Sequence, residues 1–162
     1  MVVLGIDPGY AIVGYGLIRY ENNRLTPLQY GVIRTHAKLP IEDRLHEIFT
    51  DLTKLIDAYK PDAMAVEKLY FNTNEKTAID VSQARGIIVL TGKIAGVPFA
   101  EYTPLQVKMS VAGYGKADKV QVTEMTRRLL GLRKVPKPDD AADALAIAIC
   151  HAHTAGSGLN NI

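Results

Sequence analysis

The sequence predicts an α/β protein, a mixed five-stranded sheet flanked by helices on both faces. Three observations carry that expectation. The first 35 residues alternate like strands, the hydrophobic period then switches to that of a helix, and two later apolar runs are interleaved with helical stretches. A three-strand meander followed by helix, strand, helix, strand implies a mixed sheet covered on both sides.

The elements follow in order. Val2–Asp7 is a short apolar run that ends in an acid and an Asp7-Pro8-Gly9 turn. Residues 12–20 and 25–35 are rich in Val, Ile, Leu and Tyr, and Glu21-Asn22-Asn23 between them reads as a hairpin turn. Ile41, Leu45, Ile48, Leu52, Leu55, Ile56 and Tyr59 then fall at helical spacing, with Pro40 near the start and Lys60-Pro61-Asp62 as the stop. Ala63–Glu67 is an apolar strand, again ending in an acid. Asn72, Thr73 or Asn74 caps a long helix reaching about residue 95, stopped by Gly96. A strand over 97–102 precedes helices over 104–112, 117–130 and 139–153. Residues 1–154 make one domain, and 155–162 a polar, flexible tail.

Bulk properties narrow the class. The chain has 162 residues, enough to bury a real core. Its single cysteine, Cys150, allows no internal disulfide and reads as core, which suits a reducing cytoplasm. The N-terminus lacks the pattern of a signal peptide, and no apolar run is long enough for a membrane helix. The expectation is a cytoplasmic protein with no membrane partner. Net charge is only +2, but it is unevenly spread. Between Pro104 and Pro138 stand eight basic residues, opposed only by Asp118 and Glu124. A basic third joined to a net acidic remainder suggests a polyanion-binding surface beside something that needs carboxylates.

Four acids stand out by position. Asp7 and Glu67 end strands, and Asp140 and Asp143 share one face at the start of the last helix. That helix continues almost wholly apolar, so it packs on the sheet and carries its acids toward the strand ends. Each acid has an ordinary reading too: Asp-Pro-Gly is a good turn, and Asp140 and Asp143 suit a helix N-terminus. Glu67 has no packing reason to close an apolar strand. Four convergent carboxylates repel one another unless cations lie among them. Hard oxygen ligands suit Mg²⁺ or Mn²⁺. Two such ions suit phosphodiester hydrolysis, one activating water and the other stabilising the departing 3′ oxygen.

Gly5-Ile-Asp7-Pro-Gly9, Gly14-Tyr-Gly16, Ala65-Val-Glu67, Ser82-Gln-Ala-Arg-Gly86, Gln106-Val-Lys108 and Asp140-Ala-Ala-Asp143 come in that order. Together they resemble the crossover junction endodeoxyribonucleases called RuvC, from Val2 to about His153. The resemblance implies an RNase H-like fold and a homodimer. It implies paired, symmetric nicks in Holliday junction DNA during recombination and repair. It also implies preference for a short site containing thymines, and a branch-migration motor of the RuvA and RuvB type as partner. By the same resemblance Asp7, Glu67, Asp140 and Asp143 hold two Mg²⁺ ions, with Mn²⁺ substituting. Lys108 and Lys119 contact DNA near the scissile phosphate, and Tyr70 aligns with an aromatic that stacks on an unpaired base. Phe71 is the alternative stacking residue, and Asp139 the alternative to Asp140.

Further residues fit that reading. Lys119, Thr123 and Arg127 form one helical stripe, with Lys116 and Lys108 just before it, as a phosphate-binding surface. A solvated helix face would look the same. Tyr70 and Phe71 follow Glu67 and suit base stacking. The helix bearing Ile79, Val81, Ala84, Ile87, Ile88, Val89, Leu90 and Ile94 is apolar nearly all round in its second half, so one side faces the sheet and the other a twin subunit, with Gly86 allowing close approach. Arg133, Lys134 and Lys137 read as loop charge. His151 and His153 read as complements to a helix C-terminus, not as ligands. The rivals are an actin-like ATPase or sugar kinase, which needs two lobes and more chain, a junction-binding scaffold without catalysis, and an RNase H-like nuclease for RNA–DNA hybrids.

Overall fold

The computed structural model describes residues 1–69 and 75–156, the side chains of 75 and 76 excepted. The elements are β1 (Val2–Asp7), β2 (Ile12–Glu21), β3 (Arg24–Arg34), α1 (Ile41–Tyr59), β4 (Ala63–Glu67), α2 (Glu75–Ile94), β5 (Phe99–Tyr102), α3 (Pro104–Ala112), α4 (Lys119–Leu129) and α5 (Asp139–Gly156). The strands form a mixed sheet in the order β3-β2-β1-β4-β5. The first three pair antiparallel, while β4 runs parallel to β1 and β5 parallel to β4.

Local chemistry sets the boundaries. Asn22 and Asn23 have φ of 49° and 58°, so β2 and β3 are joined by a two-residue turn that asparagine tolerates. Lys60 ends α1 in the left-handed region, its N–H donating to Ile56 O. Strand β5 starts at Phe99, two residues later than its sequence suggests. The Val97 N–H is spent on Gly92 O at the end of α2, and Pro98 has no N–H to give. Asp118 takes the N-cap of α4 in a capping box with Gln121, so that helix begins at Lys119 rather than 117. Thr103 and Gln106 cap α3 in the same way. Helix α5 runs on to Gly156, past the expected start of the tail, and 157–162 lie outside the described residues. So do Asn72, Thr73 and Asn74, the expected caps of α2.

Both sheet faces are buried, and the side-chain alternation sorts them. Val3 and Ala65 join the core beneath α3, α4 and α5, while Leu4, Ile6, Met64 and Val66 join the core beneath α1 and α2. Strands covered on both sides read as unbroken apolar runs, as β1 and β4 do. Helix α1 contributes Ile48, Leu52 and Ile56, spaced four apart on one face. Helix α5 is buried along most of its length, with Leu145, Ile147 and Ile149 at 1% exposure or less. Each such side chain contributes roughly 1.5–3 kcal/mol on burial.

Two glycines let α5 lie directly on the sheet. A Cβ on Gly5 would stand 2.1 Å from Ala144 O, and one on Gly14 would stand 2.1 Å from Asp140 O. The Gly-rich pattern of β1 and β2 is therefore the imprint of the helix that carries the last two acids. Among the described residues no helix is long and apolar enough to cross a membrane.

Candidate active site

The sheet topology brings the first two acids together. Ile6 pairs with Val66 in the parallel β1–β4 ladder, so Asp7 and Glu67 leave the same end of neighbouring strands. Asp7 lies opposite Gly14 on its other side, and Gly14 lies under the Asp140 backbone. The first turn of α5 is thereby placed over the strand ends, with Asp140 and Asp143 on it.

The electrostatics record this convergence. The Asp7 carboxyl is pushed up to about 8, first by burial and then by the charges of Glu67, Asp143 and Asp140, with Lys119 opposing them. Glu67 is raised as well, by burial and by Asp143. Lys119 Nζ donates to Asp143 Oδ2 at 2.9 Å and lies 4.0 Å from Asp139. Its ammonium is held above the usual lysine range, chiefly by that hydrogen bond to Asp143. The two adjacent aspartates differ in their surroundings. Asp139 accepts from Lys137 Nζ at 2.7 Å, and its carboxyl is lowered chiefly by that bond. It is Asp140 that acts on Asp7.

A cleft of about 200 Å³ opens beside these groups, lined by Glu67, Asp143, Lys108 and Lys119 over an apolar floor that includes Pro104, Val107 and Ile147. Lys108 and Lys119 thus come from different helices to one cavity. Lys116, in the loop between α3 and α4, is exposed. Among the described residues neither Lys108 nor Lys116 forms an ion pair.

Other expected residues are placed differently. Arg127 does not present a free cation. Its Nε and Nη2 donate to Glu124 and its Nη1 to Leu132 O, so the guanidinium fastens the end of α4 to the following loop. Lys137 likewise is tied to Asp139 rather than being loose loop charge. His151 does not complement a helix terminus. It is buried a turn before the end of α5, its Nδ1 lies 2.9 Å from Tyr102 Oη, and burial lowers its pKa. Cys150 is a core residue. Tyr70 and Phe71 lie outside the described residues. Sequence reasoning missed the apolar cleft floor, for which Pro104 after a capping threonine was the available signal.

The donor set fits hard divalent cations: four carboxylates, with no sulfur or imidazole among them. Among the described residues no three His, Cys, Asp or Glu side chains stand close enough together to hold a metal ion as they are placed. Instead Asp7 carries an excess of negative surroundings that a cation would relieve, and Asp143 is engaged by Lys119.

The sequence profile described as crossover junction endodeoxyribonuclease RuvC matches residues 3–151. A relative of that name from Brevibacillus brevis is 57% identical over 152 residues, spanning 94% of this chain and 92% of its own. The structure of Thermus thermophilus RuvC superposes with a TM-score of 0.92 at 37% identity, covering 98% of this chain and 97% of that one. T. thermophilus RuvC in complex with a Holliday junction substrate superposes with the same score and identity, covering 98% and 96%. The fold is therefore the RNase H-like fold of that protein. Matched along almost its whole length, this chain belongs to the crossover junction endodeoxyribonuclease RuvC family.

Proposed function

We propose that this chain, an endodeoxyribonuclease by family, resolves Holliday junctions by nicking two symmetry-related DNA strands with divalent metal ions. The observation that carries the reading is that the charges of Glu67, Asp140 and Asp143 all act on a half-buried Asp7, beside a cleft that presents two lysines. That the Thermus thermophilus relative was crystallised with a Holliday junction supports the substrate.

Asp7, Glu67, Asp140 and Asp143 are the residues that would hold two Mg²⁺ ions, with Mn²⁺ substituting. When bound, such ions lower the pKa of an attacking water and stabilise the leaving 3′ oxygen. Asp7 occupies the centre of the set, since the other three acids all act on it. Lys119 and Lys108 neutralise the phosphate as it enters against the acids, and Lys116 extends that contact. Tyr70 or Phe71 offers the stacking surface for an unpaired base.

The active assembly is a homodimer. Helix α2 turns Ala84, Ile88 and Thr91 to the core but leaves Ile79, Leu90 and Ile94 exposed, at 68%, 52% and 66%. Gly86 lies on the same side with open space where a side chain would be. An exposed apolar stripe around a glycine suits close packing against a second copy, and a two-fold enzyme suits a two-fold junction. The dimer works in the cytoplasm with a branch-migration motor of the RuvA and RuvB type.

The test is cleavage of a synthetic mobile four-way junction in Mg²⁺ and in EDTA, with linear duplex and RNA–DNA hybrid as controls. Paired nicks that need the metal and vanish in Asp7→Asn are expected. Binding without nicking would mean a scaffold, and preferred cutting of the hybrid a different nuclease.

A further inference from the structure

The turn that follows Asp7 is gripped from the α1 side of the sheet. Arg44, in the first turns of α1, is 6% exposed. Its Nε donates to Thr35 Oγ1 at 2.8 Å, and Thr35 Oγ1 in turn donates to Tyr10 O at 2.9 Å. The Thr35 N–H donates to Ala11 O at 3.1 Å. The guanidinium carbon stands 3.5 Å from the centre of the Tyr10 ring. One arginine therefore holds both the backbone and the side chain of the turn.

This arrangement is costly unless it serves something. A buried guanidinium loses hydration, and among the described residues Arg44 makes no ion pair within 4.0 Å, although its charge acts on Glu47 one turn along α1. The Tyr10 π face and the threonine hydroxyl add the direct contacts. The turn also has no slack, since a Cβ on Gly9 would stand 2.0 Å from Ile12 O. A shift at Tyr10 or Ala11 passes back to Asp7, three or four residues earlier. Arg44 is not among the charges that act on Asp7, so its influence runs through the backbone.

We propose that Arg44 is a positioning residue for nicking, locking the 8–11 turn through Thr35 and Tyr10 so that Asp7 keeps its place against the repulsion of the other acids. The proposal rests on the nuclease reading above.

The experiment compares wild type with Arg44→Gln, Arg44→Lys, Tyr10→Phe, Tyr10→Leu and the double variant Arg44→Gln/Tyr10→Leu. Single-turnover nicking of the mobile junction, its dependence on Mg²⁺ concentration, junction Kd in EDTA across salt, and thermal unfolding are measured on each. Arg44→Gln and Tyr10→Leu are expected to slow nicking about tenfold or more, because small displacements of a reacting group are costly. They should need more Mg²⁺ for half-maximal rate, with junction Kd within about twofold of wild type. Tyr10→Phe keeps the ring and should nick normally. Arg44→Lys loses the planar fork and should not rescue. The double variant should be no slower than the slower single, as for two parts of one clamp. A weaker Kd with a shallower salt slope would instead make Arg44 a phosphate contact and overturn the proposal. Wild-type rates in Arg44→Gln, or rates that fall only with the folded fraction, would overturn it too. Failure of wild type itself to nick would sink the nuclease reading, a result distinct from these.

Discussion

At the scale of single residues, Asp7 is where stability and function pull apart. Its carboxyl sits at about 8 in the folded protein against 3.8 unfolded, so the folded state holds the proton more tightly. The stability linked to that proton is fully present below about pH 4 and is lost as pH rises toward 8. Asp7→Asn, neutral throughout, should then match wild type near pH 4 in EDTA. By pH 8 it should exceed wild type by roughly 2–4 kcal/mol, a discounted figure because water reaches part of the group. Denaturant unfolding at the two pH values checks this, and a constant gap would rule it out. Adding Mg²⁺ should narrow the gap at pH 8 by stabilising wild type alone. Lys119 has the opposite character, since it relieves Asp7 and Glu67 while engaging Asp143. Lys119→Gln should lower the nicking rate by about 10- to 100-fold, read in single-turnover assays at saturating Mg²⁺.

At the scale of elements, the glycines of β1 and β2 make the sharpest prediction. Gly14→Ala puts a methyl 2.1 Å from Asp140 O, a backbone atom that cannot swing aside. The N-terminus of α5 must lift, which should cost about 1–3 kcal/mol and reduce nicking about 100-fold. Far-UV circular dichroism should stay native while thermal unfolding and cleavage report the two losses. A variant with normal cleavage would mean that α5 does not fix the acids.

The same elements explain what could be read in advance. Alternation and the switch of period give β1 to β4, α1 and α3 almost to the residue, because these segments bury regular faces. The juxtaposition of the four acids was legible in part, since Asp7 and Glu67 close apolar strands and Asp140 and Asp143 open an apolar helix, but only Glu67 lacked an ordinary local reason for its charge. What escapes is decided by partners distant in sequence or by competing bonds. Pro98 and the Gly92 carbonyl delay β5. Glu124, only three residues away on the same helix, captures Arg127, an alternative use that a charge stripe does not reveal. His151 meets Tyr102 across the core, which no local pattern shows.

At the scale of the whole molecule, the exposed side of α2 should govern assembly. Leu90→Lys with Ile94→Lys removes apolar surface and adds like charges facing each other across a two-fold axis. The variant should elute as a monomer in light-scattering chromatography with its unfolding temperature little changed. Paired nicking should fall more than single nicking on the junction. An unchanged dimer would place the interface elsewhere.

The path of the chain through the site has a consequence for synthesis. Asp7 and Glu67 end β1 and β4, in the first half of the chain, but Asp140 and Asp143 arrive on α5, the last helix, which also fills the centre of one core. A chain still on the ribosome carries half the acids and no roof to hold them. On the proposed reading, nicking waits until α5 docks on the glycines of the sheet, and a copy truncated before α5 should leave a junction uncut.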